Sequence, residues 1–354
     1  MDTGGLFITL ADTETLRLYL EQGVYGQHMT PQPGTPSSQS AHYRTLADYA
    51  TARSGKHVFF FGNRKIYYGG QIDGPNSHGA FFLNGQHSPL GRKADAPLVW
   101  DESTRDRYNS TEKPGVFDTN TQRGKKCQPF LIRFTDKLGL VGQSISSDQL
   151  YFELGEYPYP LPSNTIAGMG FCTITPAETR VLLDLLTDSP EAIDPVSDES
   201  VELTGDPVPF SPDLGVDSVA DTHPEAHLEA SVIANPALLP EQLQPAEATI
   251  CRQVPISPFK PSNLDQADVC YFTDEELRDG TVPNTIIELK IRKAGKNAAL
   301  QVKRYLRWLH DRLGDDAHRI DVYVYAPGYT RTFDGYIPDQ FHDQIETVEF
   351  ERTE

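Results

Sequence analysis

The segment Thr285-Ile-Ile-Glu-Leu-Lys-Ile-Arg292 carries an acid, Glu288, and a base, Lys290, two positions apart in a β-branched run of strand length. Strand alternation sets Ile286, Glu288, Lys290 and Arg292 on one face. Thr285, Ile287, Leu289 and Ile291 take the other, which is the core face. Charges in mid-strand are expensive to bury without partners. Two readings are open: a structural Glu–Lys arrangement, or a site where an acid and a base act together. Other polar residues stand close in the sequence. Asp268 opens the apolar run Ala267–Phe272. Glu225 and Glu229 lie four apart, as a plain surface pair would on a helix. Gln301 and Tyr305, also four apart, put two polar tips on a largely apolar helix face, where core-edge residues often sit. From Lys290 to Trp308 there are Lys290, Arg292, Lys293, Lys296, Lys303, Arg304 and Arg307, with no acid among them. Such a run is either a solvated helix face or a ridge for an anionic partner.

The elements that must position these residues follow from local patterns. Pro224–Asn235 reads as a short helix with Leu228, Val232 and Ile233 buried, ended by Pro236. Ala267–Phe272 and Thr285–Arg292 read as strands. Asn297 is the expected cap of a helix running to Gly314, and Ile320–Tyr325 is a further strand. In the N-terminal half, Leu6–Leu10 is a strand and the segment after Asp12 a helix. His42–Ala52 is a second helix, and Gly55–Ile72 a hairpin with its turn at Gly62-Asn63. Strands are expected at Ala80–Leu83, Pro97–Trp100 and Pro129–Phe134. A helix follows Thr175, its N-cap, with Pro176 in the first turn.

The chain has 354 residues, which favours two domains. Its 50 acidic residues against 31 Lys and Arg give a formal charge of −19, which taken alone argues against a nucleic-acid partner. The charge is unevenly spread, however. From Val181 to Cys251 there is no Lys or Arg, and the Pro-, Ser- and Asp-rich centre of that stretch reads as a flexible acidic linker. The expected division is an N-terminal domain over 1–186, a linker over 187–223 and a C-terminal domain over 224–354. Arg123, Lys125 and Lys126 form a second, weaker basic cluster. No apolar run is long enough to span a membrane, and the N-terminus lacks a secretory pattern. Four dispersed cysteines without a CxxC pair argue against zinc or a disulfide framework and suit a cytoplasmic protein.

The order helix with Glu, strand with Asp, strand with Glu-x-Lys, then helix with Gln-x-x-x-Tyr resembles the PD-(D/E)xK nuclease superfamily, in the branch near RecB-type and NucS/EndoMS-type endonucleases. The matching residues are Glu229, Asp268, Glu288, Lys290, Gln301 and Tyr305. Asp268 departs from the pattern in having no Pro before it. The resemblance implies an α/β fold, with a restriction-endonuclease-like mixed sheet flanked by helices. It also implies Mg²⁺- or Mn²⁺-dependent hydrolysis of DNA. Asp268, Glu288 and Glu229 would be metal ligands, aided by the Leu289 carbonyl. Lys290 would orient or deprotonate water and offset phosphate charge. Gln301 and Tyr305 would position the phosphate or the Lys290 ammonium. Arg292, Lys293, Lys296, Lys303, Arg304 and Arg307 would track the nucleic-acid backbone.

The N-terminal half, expected as α+β with a small mixed sheet, resembles PUA/EVE/YTH-type domains through its aromatic hairpin. That resemblance implies a pocket for a modified or flipped base, with Tyr68 and Trp100 as stacking residues; a plain β core is the competing reading. The expectation is an endonuclease acting in defence or repair. It would be a homodimer where both strands are cut, with no membrane association and no nucleotide cofactor. The alternatives are a non-catalytic nucleic-acid-binding protein on the same scaffold and an RNA-directed nuclease.

Overall fold

The computed structural model describes residues 4–10, 13–27, 36–73, 81–83, 130–149, 171–189, 191–193, 217–245, 247–256, 265–273 and 282–352. The expected strand at 97–100, with Trp100, lies outside these residues. So do Arg123, Lys125, Lys126, Cys127 and positions 194–216 of the expected linker. The chain is a mixed α/β protein with two mixed sheets and flanking helices.

In the N-terminal half, β1 (Gly5–Thr9) runs parallel to β3 (His57–Gly62), which turns back antiparallel into β4 (Lys65–Ile72). The turn falls at Asn63-Arg64, one residue later than Gly62-Asn63. Both residues have positive φ, 52° and 61°, as a two-residue hairpin with strand-matching twist requires. β2 (Val24–Tyr25), β5 (Phe81–Leu83), β6 (Phe130–Thr135), β7 (Ser144–Ser146) and β8 (Phe171–Ile174) complete this sheet among the described residues. Gly69 is the extra residue of a bulge, since Val58 pairs with Gly70 and Phe59 with Tyr68. The glycine pair is therefore packed rather than open: a Cβ on Gly69 would lie 2.6 Å from the Phe60 ring.

Three helices belong to this half: α1 (Thr13–Gln22), α2 (Pro36–Thr51) and α3 (Pro176–Thr187). Helix α2 begins six residues before the expected His42. Thr175 caps α3 in a full capping box with Glu178.

The C-terminal half begins with α4 (Glu225–Ala234) and holds a sheet ordered β13-β12-β11-β10-β9. Its strands are β9 (Thr249–Pro255), β10 (Gln266–Phe272), β11 (Thr285–Leu289), β12 (Asp321–Ala326) and β13 (Ile345–Glu349). β9, β10 and β11 are antiparallel neighbours, while β11, β12 and β13 run parallel. Helix α5 (Lys296–Leu313) covers one face and α4 the other; a short α6 (Asp339–His342) follows β12. The N-cap of α5 is Gly295, two residues before the expected Asn297, and the helix ends at Gly314 with φ 60°.

With helices on both faces, β11 is buried from Ile286 to Leu289. Ile286 packs under α5, and Ile287 and Leu289 pack towards α4. The expected single core face is therefore two, and Glu288 on the α5 side is fully buried.

The two halves share one hydrophobic cluster. Leu46 and Tyr49 of α2 and Leu228 and Val232 of α4 belong to it, with Ile287 and Leu289. The Tyr43 and His227 rings stack between these helices, centroids 4.0 Å apart. β8 lies beside β9, where Thr173 Oγ1 accepts the Arg252 N–H at 2.9 Å and donates to the Arg252 carbonyl at 3.1 Å. At the centre is Arg252 itself. Its guanidinium donates to Asp48 of α2 at 2.5 Å and to both oxygens of Glu229 of α4 at 2.9 Å. All three side chains are about 95% buried. Two carboxylates share one guanidinium, so the ionised group carries a net negative charge out of water. Burial accordingly pushes Asp48 up to about 7, against the lowering effect of Arg252.

Removing the cation would leave two buried acids facing each other. Arg252→Ala should cost roughly 3–5 kcal/mol in urea unfolding. A loss below about 1 kcal/mol would contradict this account of how the halves are joined.

Candidate active site

Asp268 and Glu288 approach each other from adjacent strands, since Val269 of β10 pairs with Ile287 of β11. Asp268 Oδ2 accepts the Leu289 N–H at 2.8 Å. Lys290, just past the end of β11, folds its side chain back. Its Nζ donates to Glu288 Oε1 at 2.6 Å and to the Leu289 carbonyl at 2.9 Å. The same ammonium lies 3.8 Å from Asp268 Oδ2 and 3.6 Å from Glu225 Oε1. Helix α5 supplies the other wall. Tyr305 Oη lies 2.6 Å from the Gln266 carbonyl and 3.1 Å from Glu288 Oε2, two acceptors for its single hydrogen. Gln301 Nε2 donates to Tyr305 Oη at 2.6 Å. Asp268, Glu288, Lys290, Gln301 and Tyr305 are thus brought together.

Glu229 is held differently from the expected metal ligand. Its carboxylate is gripped side-on by Arg252, and Oε1 also accepts from Gln253 Nε2 at 3.0 Å. The same amide reaches Asp268 Oδ1 at 3.1 Å, so Glu229 meets the site through Gln253. Glu225, expected at the surface, keeps its side chain 44% exposed and also faces Lys290. Arg252, Gln253 and Glu225 were not among the sequence candidates. Their signal lies in contacts between distant segments, Arg252 and Asp48 being 204 positions apart.

The electrostatics follow from burial with one cation for three acids. Burial pushes Asp268 well above the ordinary carboxyl range, with repulsion from Glu288 adding to it and Lys290 opposing it. Glu288 is raised by burial, against the pull of Lys290 and the Tyr305 hydroxyl. Burial alone would lower Lys290, but Asp268, Glu288 and Glu225 more than offset this and hold the ammonium protonated. In this state Lys290 is a hydrogen-bond donor and a charge, not a base. Among the described residues, no three His, Cys, Asp or Glu side chains are grouped as an assembled metal cage. The donor set nonetheless fits a hard divalent cation: carboxylate and carbonyl oxygens, with more negative charge than Lys290 neutralises.

Asp268, Lys290 and Gln301 line a cleft of about 780 Å³, while Glu288 and Tyr305 are buried and are not among its lining residues. Arg292, Lys293 and Lys296 line it on the C-terminal side, and Arg44 of α2 lines it from the N-terminal half. Lys303, Arg304 and Arg307 continue along α5 and are not among the lining residues; Arg304 pairs with Asp265 at 2.5 Å. Tyr68 does not face an open pocket. It is fully buried, with its hydroxyl 2.9 Å from His57 Nδ1 and its ring packed near Phe59. This is a β-core position, which removes Tyr68 as a stacking residue in this structure. Cys172, Cys251 and Cys270 form no disulfide among the described residues. Among the described residues, no helix is long and apolar enough to cross a membrane.

No family model and no curated protein matches the chain. Three solved structures are similar to parts of it. A repair endonuclease from Pyrococcus abyssi is 23% identical over 37% of this chain and 49% of that one, with a TM-score of 0.25. An EndoMS–dsDNA2 complex is 17% identical over 44% of this chain and 55% of that one, TM-score 0.26. EndoMS in apo form gives the same identity and coverage, TM-score 0.24. The chain therefore spans about half the length of the structures it matches.

Carboxyls raised in the folded state bind protons that the unfolded chain has already released. Their contribution to stability falls as pH rises above about 4, the unfolded carboxyl value. The unfolding midpoint should decline between pH 5 and 8, and Glu288→Gln should make the decline shallower. A decline of the same steepness in the variant would contradict the charge excess assigned to this cluster.

Proposed function

We propose that this protein is a metal-dependent endonuclease that hydrolyses phosphodiester bonds of DNA at a PD-(D/E)xK site. One observation carries the reading. Two carboxylates from neighbouring strands, with raised pKa values, face one lysine at the floor of a cleft whose walls carry four cations. A structural Glu–Lys pair accounts for Glu288 and Lys290 alone. It does not account for Asp268 and Glu225 crowding the same ammonium.

Asp268 and Glu288 would hold Mg²⁺ or Mn²⁺, with the Leu289 carbonyl as a third donor; such an ion polarises the phosphate and acidifies water. Lys290 donates hydrogen bonds to a phosphate oxygen and offsets the charge that builds there during attack. Tyr305 holds Glu288 through Oε2, and Gln301 orients the Tyr305 hydroxyl. Arg44, Arg292, Lys293 and Lys296 contact the sugar–phosphate backbone, which fixes register without reading bases.

In this reading residues 224–354 cut, 187–223 form an acidic connection, and 1–186 recognise a target or mediate assembly. A homodimer supplies two sites for a duplex break, and the role is genome defence or repair.

Asp268→Ala and Glu288→Ala should each reduce Mg²⁺-dependent cleavage of DNA by about 10²–10³-fold or more. DNA binding should stay within a few-fold of wild type. Undiminished cleavage by both variants would overturn the site.

A further inference from the structure

Gln253 is the one strand residue at the site with a positive φ. It lies inside β9 with φ 51°, in the left-handed region that non-glycine residues rarely adopt. Its neighbours keep the ladder: Val254 pairs with Ala267 and Arg252 with Val269. The irregularity is confined to Gln253 and the residue opposite it, Asp268.

Its effect on side-chain direction is visible in the two cores. Cys251 and Val254, three apart, both lie in the cluster under α5, and so do Ala267 and Cys270. Strict alternation would put only one of each pair there. The break frees Gln253 and Asp268 from the packed face and turns them towards α4. There the Gln253 amide donates to Glu229 at 3.0 Å and to Asp268 at 3.1 Å.

The segment before it is fixed from the N-terminal half. Lys56 Nζ donates to the Ile250 carbonyl at 2.5 Å, Thr173 clamps both backbone groups of Arg252, and Asp48 holds its guanidinium. A costly conformation held on so many sides, its amide bridging the Arg252-bound Glu229 to Asp268, points to a role at Asp268, the carboxylate that also faces Lys290.

We propose that Gln253 is a positioning residue: its amide, anchored on Glu229, holds the Asp268 carboxylate in the orientation that receives a divalent cation. The proposal deepens the nuclease reading and rests on it. Glu229 then serves the site at one remove, through Gln253. The N-terminal half becomes part of the catalytic framework, because it holds the strand that carries the amide.

Gln253→Gly separates the amide from the backbone. Glycine adopts φ 51° without a Cβ clash, so the variant should fold with an unfolding midpoint equal to or above that of wild type. Mn²⁺ binding to the full chain, followed by calorimetry without DNA, should weaken about tenfold or more. DNA affinity measured without metal should be unchanged. Mn²⁺ affinity within twofold of wild type would overturn the positioning role. So would a collapse of the unfolding midpoint, because the amide would then be holding the fold. Asp268→Ala serves as control. If wild type and that control bind Mn²⁺ equally, or neither binds it, the nuclease reading fails and the proposal falls with it.

Discussion

The structure depends on how one buried guanidinium is shared. Arg252 sits on β9 of the C-terminal sheet, and its two acids come from helices on either side of the junction, Asp48 on α2 and Glu229 on α4. Ion pairs at the surface contribute little, but a buried one whose partner is lost leaves an uncompensated charge in an apolar core. That asymmetry makes the pairing a constraint on geometry more than a source of stability. α2 and α4 cannot slide past each other, and β9 cannot shift its register, without stranding a charge. The shared hydrophobic cluster and the Thr173 contacts act at the same seam and in the same direction.

The cluster around Lys290 is built on the opposite principle. Around Lys290 the charges are left out of balance. Asp268, Glu288 and Glu225 face one ammonium, and burial raises the energy of ionised Asp268 and Glu288. A protein selected for stability alone would replace one of these acids. The imbalance is relieved by protons at low pH or by a cation of higher charge, so the cluster is suited to recruit one. The two arrangements meet at Gln253, one residue after Arg252. The rigid seam ends there, and the amide passes its constraint to Asp268.

Much of the site was legible because its spacing is local. Glu288 and Lys290 stand two apart at the end of β11, and Gln301 and Tyr305 share a helix face. Those periods are set by backbone geometry alone. The α3 cap was legible for the same reason, as Thr175-Pro176 with Glu178 is a contiguous signal. What escaped was long-range or depended on context. β9 reads as Thr-Ile-Cys-Arg-Gln-Val-Pro, with polar residues and a proline that obscure a strand until Arg252 has its acids. The helix cap moved from Asn297 to Gly295 because the chain turns there against Thr330, where a Cβ would lie 2.9 Å from its hydroxyl. Glu229 and Glu225 have the same type and a helical spacing, yet one is locked by Arg252 and the other faces Lys290.

In the proposed function the crowded acids around Lys290 form a cation site. Anomalous diffraction from crystals soaked in Mn²⁺ tests it most directly. The account predicts a strong peak against the Asp268 and Glu288 carboxylates, with the Lys290 ammonium displaced from Glu288. Full soaking with no peak at these carboxylates, and Lys290 still bonded to Glu288, would contradict it.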